Sequence, residues 1–541
     1  MTAPEYIKPW LLRWNWGVRI TLFLILLSSI MEFASIALSQ NYVLSYLGAQ
    51  PEDTIWGVQL TYAAIITVLP IQFRFLRYFQ TRNYLLFITF ISILLNVAFI
   101  VNTNITIFFF IRFFQGCVVA CLSGSMLVII PTFLRPEHGR AIGSTVFYGT
   151  VLSSSVLLGL IASAVTLNSD FTNLYYYLII FQVLVILVLL FGFNVRSNIR
   201  KYPLYQIDWV GTVFFIMGSV GLAYTIVYGS KYYWFTDIRI QQSTMITVAG
   251  AVLYLCRQYL VKRPLIDLKV FKYKKFWMGL ILLALYYGSK ESINIIYGYT
   301  ISVLQWSSTQ EMILGLCNVG GLITFMIITA QILIRKKDAT IYFLIAGFTM
   351  SLVYHLWMYL IFTPDLAFTD LILPMFFQGA ASGILFVPIM IFTLTAVPAT
   401  TGYTALIIAA FTRFTSLLNA SAGFYNLQLY FNQLFKESFL FHLTVVDDQV
   451  NERLKSLKQL FASKGFSADQ AAAAANASLG KTLGMQSQLL TNRAIFLFIA
   501  TIIAVILVLA LITLAVNAVK KILDHKNVVA GENIQLTNVA T

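Results

Sequence analysis

Five charged side chains lie inside long apolar runs of this sequence of 541 residues: Glu32, Arg112, Lys290, Glu291 and Arg413. A charge at the centre of a bilayer costs at least about 2.5 to 3.5 kcal/mol, so such residues normally face a cavity or a partner. A desolvated carboxyl favours its protonated form, which makes the two glutamates candidates for binding and releasing protons. The alternative for Glu32 is that it is held permanently in a salt bridge to a neighbouring helix.

Glu32 lies 14 residues into the first apolar run, about 21 Å along a helix and past the bilayer midplane. Ser28, Ser35 and Ser39 stand four residues before it and three and seven residues after it, which predicts one polar stripe on an otherwise apolar helix. We expect this stripe to line water or substrate. Ser35 and Ser39 are therefore candidate cavity residues.

Glu291 has a shorter polar stripe, with Tyr287 four residues before it and Asn294 three residues after it. This pattern predicts a central cavity with Glu32 on one wall and Glu291, Tyr287, Lys290 and Asn294 on the other. Three roles stay open for Lys290: holding Glu291 charged, pairing with an anionic substrate, or pairing with another helix.

The two arginines differ in their surroundings. Arg112 precedes Gln115 and Gly116, and the glycine permits a close helix crossing. Because arginine stays protonated, Arg112 would bias a carboxylate electrostatically in proton coupling; a structural helix pair is the alternative. Arg413, with Ser416 three residues on, is expected to be structural.

The composition of the chain limits the class of protein to which these residues can belong. Hydrophobic residues make up 59% and charged residues 11% of the chain, and the mean hydropathy is +0.81. These values exclude a water-soluble enzyme and a disordered chain. The sequence has no phosphate-binding glycine loop, metal cluster or nucleophile with a base. We therefore expect no enzyme activity and no cofactor, and we expect the proton gradient to be the energy source.

Fourteen runs are long enough to cross a bilayer as helices. They span residues 18–39, 55–73, 83–101, 106–132, 140–165, 173–194, 207–228, 242–261, 276–303, 310–334, 339–362, 369–395, 402–432 and 491–520. On one side the short loops and termini carry 24 Lys and Arg, against only Lys231 and Arg239 in short loops opposite. Both termini are therefore expected in the cytoplasm.

An internal repeat divides the chain. Phe-Phe-Gln-Gly at 113–116 recurs at 376–379, an offset of 263 residues, so Gln378 and Gly379 match Gln115 and Gly116. Related six-helix halves are typical of transporters. The pattern predicts an all-α membrane protein with a six-helix bundle in residues 1–200, two inserted helices and a linker in 201–268, and a second six-helix bundle in 269–541. Residues 433–490 are predicted to form an external helical cap, either a docking surface or a solvated connector.

The chain resembles the major facilitator superfamily, specifically its fourteen-helix drug:proton antiporter branch of the EmrB/QacA type. The stretch 112–116 is similar to the family's arginine-containing motif, and 135–140 resembles the loop that follows it. Asp208 to Gly211, the stretch 264–271, and Gly402 followed by Arg413 resemble further features of this branch, and Glu32 stands where the branch usually carries an aspartate.

The chain also departs from this branch at two motifs. The stretch 73–80 lacks the family's glycines and aspartate, and 149–154 has two serines in place of a Gly-Pro step.

The resemblance implies a proton-coupled exporter of amphipathic compounds or drugs in the bacterial cytoplasmic membrane, working by alternating access. It also implies that the segment 433–490 could dock a periplasmic adaptor and outer-membrane channel. Two alternatives remain open at this point. One is a dedicated exporter or flippase of an endogenous lipid-like, pigment or siderophore molecule, and the other is a proton-linked importer, which the missing Gly-Pro step suggests.

Overall fold

A computed structural model describes residues 6–35, 40–133, 172–196, 201, 203–261, 264, 266–336, 339–398, 401–443 and 447–539. This part of the chain is almost entirely helical, apart from short 3₁₀ turns and one isolated bridge between Ile7 and Phe193. The α-helices are α1 Pro9–Leu12, α2 Asn15–Ala34, α3 Gln40–Leu47, α4 Pro51–Tyr78, α5 Thr81–Val101, α6 Ile105–Thr132, α7 Asn173–Gly192, α8 Trp209–Tyr228, α9 Ile238–Leu260, α10 Lys274–Lys290, α11 Ile293–Ser302, α12 Ser308–Arg335, α13 Thr340–Ile361, α14 Phe368–Thr395, α15 Gly402–His442, α16 Asp448–Ser463 and α17 Ala468–Val539.

Eleven of the described helices are long and apolar enough to cross a membrane. Two further predicted runs correspond to α9 and to the pair α10 and α11. The remaining predicted run, 140–165, lies outside the described residues, as do the motif residues 135–140 and 149–154. The all-helical membrane fold is confirmed, and fourteen spans are compatible with this structure.

The ninth predicted run is not one continuous helix. α10 ends at Lys290 and α11 begins at Ile293, and between them the backbone N–H of Ser292 donates to the Ser289 carbonyl at 3.3 Å, a 3₁₀-type bond. The Ser292 hydroxyl donates to the same carbonyl at 2.8 Å. Such local serine bonds compete with the helical i→i−4 ladder, which explains the break. Lys290 and Glu291 therefore lie at a helix break.

The internal repeat appears as the same helix crossing in each half. A Cβ atom at Gly116 would overlap the backbone of Thr61 in α4, and one at Gly379 would overlap the backbone of Asn318 in α12. The Thr61 hydroxyl donates to the Arg112 carbonyl at 3.1 Å. In the second half, the Asn318 side-chain amide donates to the Met375 carbonyl, at the position equivalent to Arg112, at 2.9 Å. Only glycine permits this approach, which positions α6 and α14 equivalently.

The predicted inserted pair, α8 and α9, is joined by Asp208. Its carboxylate caps α8 by accepting the Gly211 N–H at 3.0 Å and pairs with the Arg257 Nε at 2.8 Å. The pair packs on the first half, where the Tyr228 hydroxyl donates to Asp53 at 2.6 Å. Asp208 thus has a structural role at the start of the inserted pair.

The segment 433–490 consists of the end of α15, the short helix α16 and the start of α17. At 1.5 Å per residue, the 41 residues of α15 measure about 60 Å, roughly twice the hydrocarbon thickness of a bilayer. The Ser487 hydroxyl donates to the Asn432 side chain at 2.6 Å, which ties α17 to α15 beyond the apolar runs. No residue of α16 is buried.

A buried charged network and a central cavity

Glu32 lies on the face of α2 that packs inside the first half, with 1% of its surface exposed. Its Oε2 accepts one hydrogen bond from the Asn96 amide and one from the Gln182 amide, each at 2.7 Å. Its Oε1 has no hydrogen-bond partner in the part of the chain that the structure describes. A carboxylate oxygen without a hydrogen-bond partner is a position at which a proton can bind without displacing another bond.

Arg112 reaches this carboxyl through two amides. Its Nη1 donates to the Gln115 side-chain oxygen at 2.7 Å, and the Gln115 amide donates to the Asn96 side-chain oxygen at 3.1 Å. Among the described residues, Glu32 and Arg112 form no direct ion pair and are linked through these amides. In such buried surroundings the arginine charge still acts on the carboxyl, because the local dielectric is low.

Ser35 belongs to the same network. Its hydroxyl accepts a bond from Arg112 Nη1 at 3.1 Å and donates to the Glu32 carbonyl at 2.9 Å. Ser35 therefore positions Arg112 and, contrary to the expectation from its stripe, does not line the central cavity described below. Ser39 lies outside the described residues.

Asn96 and Gln182 were not among the residues predicted from the sequence. The Gln182 amide also donates to the Ser92 hydroxyl at 2.8 Å, so α5 contributes two residues four positions apart. The available signal was the uncharged polar side chains in otherwise apolar runs, Ser92 and Asn96 in α5 and Gln182 in α7. Attention to charged residues alone overlooks them.

A central cavity, partly open, lies between the two halves. It is bordered by α2, α4 and α6 on one side and by α10, α14 and α15 on the other, and its lining is mostly apolar. The charged residue in this lining is Arg413, whose guanidinium lies 5.3 Å from the centre of the Tyr287 ring, a cation–π contact. Arg413 was expected to be structural, and it borders this cavity. On α2 the cavity meets Ile30 and Phe33.

The two glutamates do not face each other across this cavity, because Glu32 points into the first half. Glu291 is half-buried at the helix break, accepts the Asn294 amide at 2.7 Å, and interacts electrostatically with Lys290 and Arg413. Lys290 borders a separate small pocket. Of the predicted cavity residues that the structure describes, Tyr287 is the one that borders the central cavity.

The second half has a glutamine at the matching position, and its hydrogen-bond donor lies on another helix. The Gln378 side-chain oxygen accepts a bond from the Asn318 amide, as Gln115 accepts one from Arg112. At the position equivalent to Arg112 stands Met375. The arginine of this crossing is therefore present in one half only.

Solved structures identify this fold. The bacterial homologue of the human lysosomal transporter Spinster, inward-facing and unoccupied, has a TM-score of 0.55 at 12% identity, over 93% of this chain and 97% of that one. A POT family transporter in complex with 5-aminolevulinic acid has a TM-score of 0.56 at 12% identity, over 89% and 96%. The described part of this chain has the fold of these transporters, the major facilitator fold.

Curated relatives narrow this class, although no family model matches the sequence. The chain is 23% identical over 391 residues to the probable multidrug resistance protein EmrY of Escherichia coli K12, covering 71% of this chain and 74% of that protein. It is 25% identical over 259 residues to the colistin resistance protein EmrB of Acinetobacter baumannii, covering 47% and 49%. The E. coli K12 multidrug export protein EmrB matches at 23% over 311 residues, covering 55% and 57%. The resemblance seen in the sequence motifs is confirmed: the relatives are EmrB and EmrY multidrug proteins, and the matches span from about half to three quarters of their length.

Proposed function

We propose that this protein exports amphipathic organic compounds across the bacterial inner membrane in exchange for protons, by alternating access between its two halves. The observation that carries the proposal is the Glu32 carboxyl, buried, hydrogen-bonded on one oxygen and unpartnered on the other within the described residues. A carboxyl in this arrangement can accept a proton without losing an existing bond. The relatives named above are export and resistance proteins, which favours this direction of transport over import or a dedicated flippase.

The network makes the charge of Glu32 sensitive to conformation. When Asn96 and Gln182 both donate to Oε2 and Arg112 is held nearby through Gln115, the carboxylate is stabilised. If helices α2, α5, α6 and α7 shift relative to one another, these bonds lengthen and the protonated form becomes favoured. The proton and the substrate then bias the same conformational equilibrium through their different affinities for its two states.

The central cavity supports an amphipathic substrate. Its lining is largely apolar and aromatic, with few polar groups, as is usual for sites that bind small organic molecules. Arg413 and Tyr287 would orient the polar end of such a compound. Glu32 acts on the substrate at a distance, through helix packing, because it does not share the face of α2 that carries Ile30 and Phe33 to the cavity.

The test is proton release on substrate addition to purified protein, together with transport driven by a pH gradient in proteoliposomes. Glu32→Gln should bind substrate, release no proton and lose uphill export, while substrate exchange without a gradient continues. Glu437→Gln, a matched change at an exposed carboxylate of α15, should behave as wild type. Undiminished proton release by Glu32→Gln would refute this role, and loss in Glu291→Gln instead would assign the proton to the second half.

We further propose that both termini lie in the cytoplasm and that α16, with the adjoining parts of α15 and α17, docks an adaptor protein on the opposite side. Two features support this: the positive charges collect on the side of the termini, and these helices extend beyond the apolar runs. Deleting residues 450–485 leaves the Ser487 contact to Asn432 available. The deletion should abolish efflux from cells and leave substrate binding and proteoliposome transport intact; unchanged efflux would identify a solvated connector.

A further inference from the structure

A buried histidine of the second half lies beside the break between α10 and α11. His355 lies on α13, and 1% of its surface is exposed. It contacts Ser292, which stands at the break between α10 and α11. We propose that His355 is a second proton-binding residue, which fixes this break when protonated and so positions Lys290 and Glu291.

Three contacts around His355 need one hydrogen-bond proton each. They are His355 Nδ1 to the Ser351 carbonyl at 2.7 Å, His355 Nε2 to the Ser292 hydroxyl at 3.1 Å, and that hydroxyl to the Ser289 carbonyl at 2.8 Å. A carbonyl only accepts, so Nδ1 must carry a hydrogen. A neutral imidazole and one hydroxyl then supply two protons for three contacts.

The missing proton defines two states of the site. With neutral His355, the Ser292 hydroxyl has one proton and can donate to only one of two acceptors. If it donates to Nε2, the Ser289 carbonyl loses this hydrogen bond; if it donates to the carbonyl, Nε2 has no hydrogen bond. With protonated His355, Nε2 donates to Ser292 and all three contacts are made. Gain of one proton therefore completes the chain.

These contacts lie at a hinge. The backbone bonds of Ser292 to Ser289 at 3.3 Å and of Asn294 to Glu291 at 3.1 Å are 3₁₀-type bonds, with poorer geometry than a regular helical ladder. A 3₁₀ stretch inside a long helix often marks a functional hinge. The Ser292 hydroxyl donates to the Ser289 carbonyl, which also accepts the Ser292 backbone N–H at this hinge. Its hydrogen bond therefore decides how firmly Lys290 and Glu291 are held.

The charged and titratable groups around His355 set the condition for protonation. Lys290 and Tyr286 of α10 border the same small pocket, and Glu291 is adjacent to Ser292. The other neighbours are Tyr354 on its own helix, the uncharged Gln378 and Ser382 of α14, and the ring of Phe496 of α17 at 5.4 Å.

Two cations in this pocket repel each other. His355 therefore gains its proton when the charge of Lys290 is compensated, by the Glu291 carboxylate or by an anionic group of the substrate. Since the proton and the anion favour each other, each should increase the binding of the other by the same factor, typically about 5- to 150-fold. This inference rests on the proposed transport function. It specifies that a substrate with an anionic group is bound together with one additional proton, which His355 takes up.

The protonation state can be read directly by NMR of detergent-purified, full-length protein with ¹⁵N-labelled histidine. The chain has four histidines, so His355→Gln assigns the signal by its absence, and His442→Gln serves as the exposed control. We expect the neutral Nδ1–H tautomer at high pH and the imidazolium at low pH in the presence of tetraphenylborate, a lipophilic anion. A ring that stays neutral with this anion from about pH 5 to 8, or an Nε2–H tautomer, would overturn the proposal.

Binding measurements separate this role from a structural one. In wild type, lowering the pH from about 8 to about 6 should tighten tetraphenylborate binding by about 5- to 150-fold, and the lipophilic cation tetraphenylphosphonium should show no such gain. His355→Gln and Ser292→Ala should each abolish the gain, whereas a structural loss would weaken both ligands equally at both pH values. Both variants should retain the Glu32 proton release with tetraphenylphosphonium, so failure of the Glu32 mechanism and failure of this inference give different results.

Discussion

Gln115 is the point at which the charge of Arg112 connects to the carboxyl network, and replacing it with leucine tests the network most directly. Leucine is close to glutamine in volume and makes no side-chain hydrogen bond. Gln115→Leu removes the acceptor for Arg112 Nη1 at 2.7 Å and the donor to Asn96 at 3.1 Å. We expect Asn96 to reorient and Arg112 to remain held by Ser35 and the Phe33 carbonyl.

The magnitude follows from the two lost bonds. A hydrogen bond to a charged group contributes about 1.5 to 3 kcal/mol and a neutral one about 0.5 to 1.5 kcal/mol. Their loss amounts to about 2 to 4.5 kcal/mol, or about 30- to 2,000-fold in an equilibrium constant. Within membranes such bonds average about 0.6 kcal/mol, so the two together would contribute about 1.2 kcal/mol, or about eightfold.

The pseudo-symmetry offers a matched control. Gln378→Leu changes the equivalent glutamine in the second half, which bonds to the neutral Asn318 amide and, at 3.4 Å, to the Lys290 carbonyl. It should lower the thermal stability in detergent modestly and leave substrate-induced proton release from Glu32 in place. Gln115→Leu should reduce the pH-gradient-driven transport rate by at least about eightfold, while substrate affinity changes little because Gln115 does not border the cavity.

Each pattern of results has a distinct meaning. If Gln115→Leu releases protons and exports substrate as wild type does, Arg112 does not act on Glu32 through the amide relay. If the Gln115 and Gln378 variants lose transport equally, the glutamines share a packing role, and the charge of Arg112 has no special part. Thermal stability measured on the same samples separates a coupling defect from partial unfolding.

Two further changes test packing and selectivity. Gly379→Ala should strongly reduce the amount of folded protein, because its Cβ would overlap the Asn318 backbone. Gly320→Ala is the control: a Cβ there meets open space, so thermal unfolding should change little. Equal tolerance of both substitutions would contradict the close helix crossing at Gly379. Arg413→Gln removes the cation of the central cavity and its contact with Tyr287. It should strengthen tetraphenylphosphonium binding and weaken that of tetraphenylborate by about 2- to 30-fold, equivalent to about 0.5 to 2 kcal/mol; unchanged selectivity would place Arg413 outside the substrate path.

Some features of the site could be predicted from the sequence because they depend on local chemistry. A buried charge is recognised by its type within an apolar run, so Glu32, Lys290 and Glu291 were all identified as unusual. The matching Phe-Phe-Gln-Gly stretches predicted equivalent crossings, and the structure shows Gly116 and Gly379 in equivalent contacts. Helix length and charge bias are likewise properties of short segments.

Other features depend on contacts between distant segments. The periodicity around Glu32 predicts that Ser35 is close to it on the helix, and only the packing of α2 against α5, α6 and α7 decides that both point into the first half. Asn96 and Gln182 reach Glu32 from 64 and 150 residues away in the sequence, a distance at which residue periodicity carries no information.

The sequence by itself determined that this chain is a two-part helical membrane protein with a small set of embedded charges, because apolar length, repeats and charge are properties of local residue types. The tertiary structure alone decided which helix each polar face meets and that Lys290 and Glu291 stand at a break. It also decided that Arg112 is linked to Glu32 through amides and not by direct pairing, since only packing brings α2, α5 and α6 together around them.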